Sequence, residues 1–144
     1  MKTRTKIQRA IKELPMLTDF GLGVPGSIKN RKKSFKQEQQ RLLSSHERFE
    51  ATCEWLQGVD KTLAINTKYT SYFLKHIVEQ RIGGHVSNGV FIAAAIHCGF
   101  DYKHSKSYPN LFFNMSEDSI QEKYEECLLY GKYQNGHAVG GSLI

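Results

Sequence analysis

From Ser71 to Cys98 the pattern of apolar and polar positions predicts two helices joined by a short Gly83-Gly84 turn. In the first, Phe73, Leu74, Ile77, Val78 and Ile82 recur at helical spacing and form an inner stripe, leaving Tyr72, Lys75, His76, Glu79 and Gln80 mostly outside. The second carries Val90, Phe91, Ile92, Ala93, Ala94, Ala95 and Ile96 without a polar break. A short helix that is apolar on every face belongs in the middle of a domain, so this helix is expected to be the element on which the others pack. Thr70 or Ser71 caps the first helix, and Ser87 or Asn88 the second, through side-chain oxygens that accept first-turn N–H groups. Gly99 stops the second helix. Gly89 predicts a close backbone approach, most simply to the preceding turn.

The flanking segments follow the same logic. Ile7, Ala10, Ile11 and Leu14 make a short amphipathic stretch that Pro15 ends. It is too short for a stable isolated helix, so it folds on a partner or docks on its own domain. Residues 15–33 read as a linker punctuated by Gly21, Gly23, Pro25 and Gly26. A polar helix is expected over 34–43. A second opens at Ser44 or Ser45, with Ser44 and Glu47 in the spacing of a capping box. It carries Phe49, Cys53, Trp55 and Leu56 inward and stops at Gly58. Residues 62–66 suit a strand. Between 100 and 115 the period falls to two, predicting a hairpin whose loop holds Pro109 and Asn110. Ser116 caps a last helix with an acidic first turn and the stripe Ile120, Tyr124, Cys127 and Leu128. The Gly-rich tail from Asn135 is expected to fray.

Charge divides the chain. The net charge is +6 over 144 residues, but residues 1–36 carry ten Lys or Arg against Glu13 and Asp19. The basicity therefore belongs to the N-terminal stretch, and the expected organisation is a basic arm and linker over 1–36, one domain over 37–133 and a flexible tail over 134–144. Such stretches meet nucleic acid or another acidic surface, or remain solvated. There is no apolar run long enough to span a membrane and no secretory signal after the basic start. Three cysteines without paired spacing, Cys53, Cys98 and Cys127, read as reduced thiols on or near apolar stripes, explained by core packing. A cytoplasmic setting follows.

The expected fold class is α+β. The order helix, strand, helix, turn, helix, hairpin, helix over 45–130 resembles the winged-helix form of the helix-turn-helix class. That resemblance implies that helix 71–82 lies across a DNA backbone, helix 87–98 enters the major groove and the 100–115 hairpin is the wing. Against it, helix 87–98 offers only Asn88 and His97 as polar groups, whereas base reading needs Arg, Lys, Asn or Gln. The helix is expected to be structural. The pattern S-Y-x-L-K-H at Ser71 to His76, V-S-N-G-x-F-I-A-A-A-I at Val86 to Ile96, G-F at Gly99-Phe100 and P-N at Pro109-Asn110 also resembles small uncharacterised proteins of bacterial plasmids and other mobile elements. That resemblance implies a bacterial, accessory role.

Catalytic chemistry finds little support. No Cys or His metal set has the required spacing, the glycines at 21, 23 and 26 make no nucleotide loop, and no acid, base and nucleophile converge. His76 and Glu79, one turn apart, are expected to make a solvated contact. No enzyme, cofactor or metal is expected. Binding chemistry is better represented. The basic stretch supplies Lys2, Arg4, Lys6, Arg9, Arg31, Lys32, Lys33 and Lys36; the domain adds Lys68, Lys75, Asn88, Lys103, His104 and Lys106. The expected function is phosphate-dominated, weakly sequence-specific nucleic-acid binding, DNA before RNA, as an accessory protein of a mobile element. The alternative is a protein-interaction module that inhibits a host nucleic-acid-processing complex.

Overall fold

The computed structural model describes residues 1–134; the tail expected to fray lies outside them. The described chain is mixed α+β, with six helices and two small antiparallel sheets. Helix α1 (Thr3–Glu13) leads into a two-stranded ribbon, β1 (Leu17–Thr18) and β2 (Gly21–Leu22). Helices α2 (Arg31–Leu43) and α3 (His46–Leu56) follow, then β3 (Lys61–Asn66), α4 (Ser71–Ile82) and α5 (Asn88–His97). The chain closes with β4 (Tyr102–His104), β5 (Leu111–Met115) and α6 (Glu117–Gln134). The second sheet has the order β3-β5-β4, so the hairpin β4–β5 is joined on its β5 side by the earlier strand.

Helix α5 is the centre of the molecule, as its composition requires. Asn88 to Ala95 are all buried, and α1, α3, α4, β1 and β2 each pack on it. Ser87 caps it, its hydroxyl accepting the Val90 N–H at 3.0 Å. Thr70 caps α4 in the same way through the Phe73 N–H. The alternative cap, Ser71, is fully buried and instead accepts the Leu111 N–H at 3.1 Å, tying α4 to β5. Ser116 accepts the Ser119 N–H and opens α6.

The largest departure from expectation concerns the first 24 residues. They do not stand apart from the domain: Ile7, Ala10, Leu14, Leu17 and Leu22 are buried in the same core as α5, and Val24 is buried beside the ribbon. The segment expected to be a linker folds into the β1–β2 ribbon because Leu17 and Leu22 bury in the apolar core, which a solvated linker would not allow, while the buried Thr18 hydroxyl donates to the Gly23 carbonyl. The ribbon crosses the start of α5 at backbone contact. A Cβ on Gly89 would overlap the Thr18 carbonyl oxygen and come within 2.8 Å of Asp19 Cα, and the Gly89 N–H donates to the Asp19 carbonyl at 3.1 Å. Gly89 thus answers to the ribbon rather than to the preceding turn.

Three smaller expectations also change. The capping box at Ser44 does not form, because the Ser44 and Ser45 hydroxyls donate back to the carbonyls of Gln40 and Arg41 at 2.9 Å, closing α2 rather than opening α3. The polar helix starts at Arg31, where Asn30 in a left-handed conformation caps it through the Lys33 N–H. On α4 two positions exchange roles. Phe73 is 41% exposed and stacks on Tyr69, while Lys75, expected outside, is 6% exposed. No helix among the described residues is long and apolar enough to cross a membrane.

Candidate functional site

Lys75 marks the site. A buried ammonium needs a counter-charge, and Glu79 one turn on supplies it at 3.3 Å, both side chains being largely buried. The ammonium also lies 5.0 Å from the centroid of the Tyr72 ring, a favourable cation–π placement. Glu79 is the hub of the corner. Its Oε2 also accepts the Val86 N–H at 2.9 Å and contacts His85 Nδ1 at 3.1 Å, and its Oε1 meets His76 Nδ1 at 2.8 Å. Burial pushes the Glu79 carboxyl up, but the Val86 N–H and Lys75 outweigh it and hold it below the ordinary carboxylate range. One carboxylate therefore fixes the end of α4, the Gly-Gly turn and the approach to α5.

Around Lys75 opens a cleft of about 550 Å³, walled by Asp19, Phe20, Pro25, Ile28, Glu38 and Tyr72, with Ser87, Asn88, Pro109 and Asn110 along its floor. The ribbon shapes one wall. Gly21 sits at φ +127°, and a Cβ there would come within 2.5 Å of Asn88 Nδ2 and 2.8 Å of the Pro109 carbonyl, so only glycine lets the ribbon close on the floor. Ser87 Oγ donates to Asp19 Oδ1 at 2.7 Å. Asn88 Nδ2 donates to Asn110 Oδ1 at 2.9 Å and to the Phe20 carbonyl at 3.3 Å, and Asn88 Oδ1 is buried without a hydrogen-bond partner. The Tyr108 hydroxyl donates to the Val24 carbonyl at 3.2 Å, and its ring tilts against Phe20 at 6.3 Å. The hairpin loop is thus latched to the ribbon. In charge the cleft sets Asp19 and Glu38 against a Lys75 already paired with Glu79, so its interior favours hydrogen-bond donors and flat apolar surfaces over anions.

The residues expected to bind nucleic acid divide into three groups. Lys2, Arg4 and Arg9 are exposed on the face of α1 opposite the buried Ile7 and Ala10. Arg31, Lys32, Lys33 and Lys36 are exposed on the first turns of α2, with Arg31 donating to the Pro25 carbonyl at 2.9 Å on the rim of the cleft. Lys103, His104 and Lys106 are exposed on β4 and the loop after it. A second group is engaged elsewhere. Lys6 pairs with Glu50 at 2.9 Å, and Lys68 pairs with Glu117 at 2.9 Å beside Tyr69. The third group, Lys75 and Asn88, is buried and lines the cleft.

Most of the residues that line the cleft are not nucleic-acid-binding candidates by sequence, among them Asp19, Phe20, Glu38, Tyr72, His85, Ser87 and Asn110. A signal for several existed. Ser71, Tyr72, Lys75, Ser87, Asn88, Pro109 and Asn110 all belong to the S-Y-x-L-K-H, V-S-N-G and P-N strings, and they are polar or constrained residues set against buried apolar ones. The fold brings these separated strings to one place. Compared with protein-family models, curated proteins and solved structures, the chain matches none of them.

Proposed function

We propose that this protein is a small nucleic-acid-binding accessory protein of a bacterial mobile element, built on a winged-helix-like domain, and that its binding is phosphate-dominated and weakly sequence-specific. The observation that carries the reading is where the basic residues of 1–36 lie. Their apolar neighbours dock into the core, while Arg4, Arg9, Arg31, Lys32, Lys33 and Lys36 stay exposed on two helices that pack on one another, with Lys2 and Lys29 exposed just before them. A rigid scaffold that presents cations loses less ordering entropy on a phosphate backbone than a free arm would. The element order and the β3-β5-β4 sheet support the winged-helix-like reading. The helix that would read bases is covered by α1 and the ribbon, and this supports weak specificity. The acidic cleft repels phosphate but suits an unstacked base, whose N–H groups meet Asp19 and Glu38 while Phe20 and Tyr72 offer ring faces. Backbone phosphates would then run outside, along the start of α2.

Deletion of residues 1–36 would remove core side chains, so charge reversal is the proper test. The triple variant Lys32→Glu, Lys33→Glu, Lys36→Glu keeps the core intact. Its binding to single-stranded and duplex DNA and RNA is measured by fluorescence anisotropy across salt. The expected result is a fall in affinity with a salt slope shallower by about 2 to 3, one phosphate contact per lysine. Wild-type binding that ignores salt, or equal binding by the variant, overturns the reading. A second reading, a protein-interaction module acting on a host nucleic-acid-processing complex, draws on Leu63, which is fully exposed on the edge strand β3.

A further inference from the structure

Two of the three cysteines meet in space although nothing in their spacing pairs them. Cys53 lies on α3 and Cys98 caps the C-terminus of α5, and these helices pack directly. Both thiols are free and line one open cleft of about 570 Å³ with Lys6, Glu50, Gln57 and His97. Cys53 is buried at the back and Cys98 is half-buried towards solvent. Cys127, on α6, lines a different groove, against α4. We propose that Cys53 and Cys98 form a reversible dithiol–disulfide site, oxidised through Cys98 by a small-molecule disulfide of the glutathione class. This inference is independent of the nucleic-acid reading.

The surroundings assign the two sulfurs different roles. The neighbouring Cys53 thiol, together with Lys61 and Lys6, holds the Cys98 thiol below its ordinary range despite burial. The adjacent Cys98 sulfur, and then burial, push the Cys53 thiol up, so Cys53 keeps its proton. The more accessible sulfur, with thiolate character beside cations, is the attacking group, and the buried protonated neighbour is the resolving one. The Cys98 thiolate attacks one sulfur of the reagent, the reagent's S–S bond breaks, and one glutathione thiolate leaves. Cys53 then releases its proton to solvent and attacks the Cys98 sulfur of the mixed disulfide, expelling the second glutathione thiolate. The two protein thiols are oxidised by two electrons and one glutathione disulfide is reduced to two glutathiones. The product joins α3 to the end of α5 beside the Lys6–Glu50 pair that seats α1.

The test is equilibration of the full chain in glutathione buffers of graded ratio, followed by acid quench, alkylation and peptide mass spectrometry. The expected product is a Cys53–Cys98 cross-linked peptide with Cys127 alkylated, reversed by dithiothreitol. Half-oxidation should need a glutathione disulfide ratio about 100-fold lower than for the urea-unfolded chain, because the fold raises the effective concentration of one thiol at the other. The Cys53→Ser variant should stop at a stable glutathione adduct on Cys98, and Cys127→Ser should leave the cross-link unchanged. The proposal is overturned by pairing spread evenly over the three cysteines, by equal ratios in the folded and unfolded chains, or by a wild-type adduct that never resolves.

Discussion

Replacing Gly89 by alanine isolates the contact that makes the N-terminal segment part of the domain. In an ordinary helix the change would help by up to about 1 kcal/mol, since alanine has the better helix propensity. Here the added methyl would overlap the Thr18 carbonyl oxygen and approach the Asp19 Cα within 2.8 Å, and both obstacles are backbone rather than a movable side-chain tip. Relief requires the ribbon to lift from α5, which weakens the Gly89 N–H to Asp19 bond and the closure of Gly21 over Asn88. Overpacking of this kind costs about 3 kcal/mol, so the net expectation is a loss of about 2 kcal/mol. With a urea dependence of about 2 kcal/mol per molar, the midpoint should fall by about 1 M in equilibrium denaturation followed by circular dichroism. Gly26→Ala is the matched control, because no atom lies within 4 Å of its added Cβ, and its midpoint should not move. A Gly89→Ala protein as stable as wild type would refute the ribbon–helix contact and return the first 24 residues to the status of a free arm.

Three further outcomes test the cleft and the surface. Glu79→Gln removes the counter-charge from buried Lys75 and should cost about 3 kcal/mol near neutral pH. The Glu79 pKa is lower in the folded chain than its ordinary 4.5, so its contribution is fully present above that value and is lost as pH falls through the folded value. The gap between wild type and variant in urea titrations should therefore narrow towards acid, and a gap independent of pH would contradict the assignment. Ser87→Ala removes the α5 cap and the Asp19 link together and should cost about 1.5 kcal/mol; a change below about 0.3 kcal/mol would mean that neither bond contributes. Leu63→Thr on the exposed edge strand should leave thermal unfolding within about 0.5 kcal/mol of wild type, and a large loss would show that Leu63 is covered in solution.

Local rules settled much of this protein from its sequence. A run of seven apolar residues bounded by Ser87 and Gly99 left α5 no solvent-compatible face, and burial of Asn88 to Ala95 follows directly. The caps at Thr70, Ser87 and Ser116, the stop after Ile82 and the change of period after Gly99 are interactions within a few residues, so the sequence displays them. What covers a face is a different question, because it depends on residues far along the chain. The amphipathic pattern of α1 determines that Ile7 and Ala10 need a partner, but not that the partner is α5. Lys75 occupies an outward position by periodicity, and only the turn that brings Val86 and His85 back over Glu79 encloses it. Cys53 and Cys98 look unpaired until α3 and α5 pack. The cleft likewise exists only once Asp19, Lys75, Asn88 and Asn110 come together around one space, since hydrophobic periodicity specifies which side of an element is buried and the packing of whole elements decides which polar groups are enclosed together.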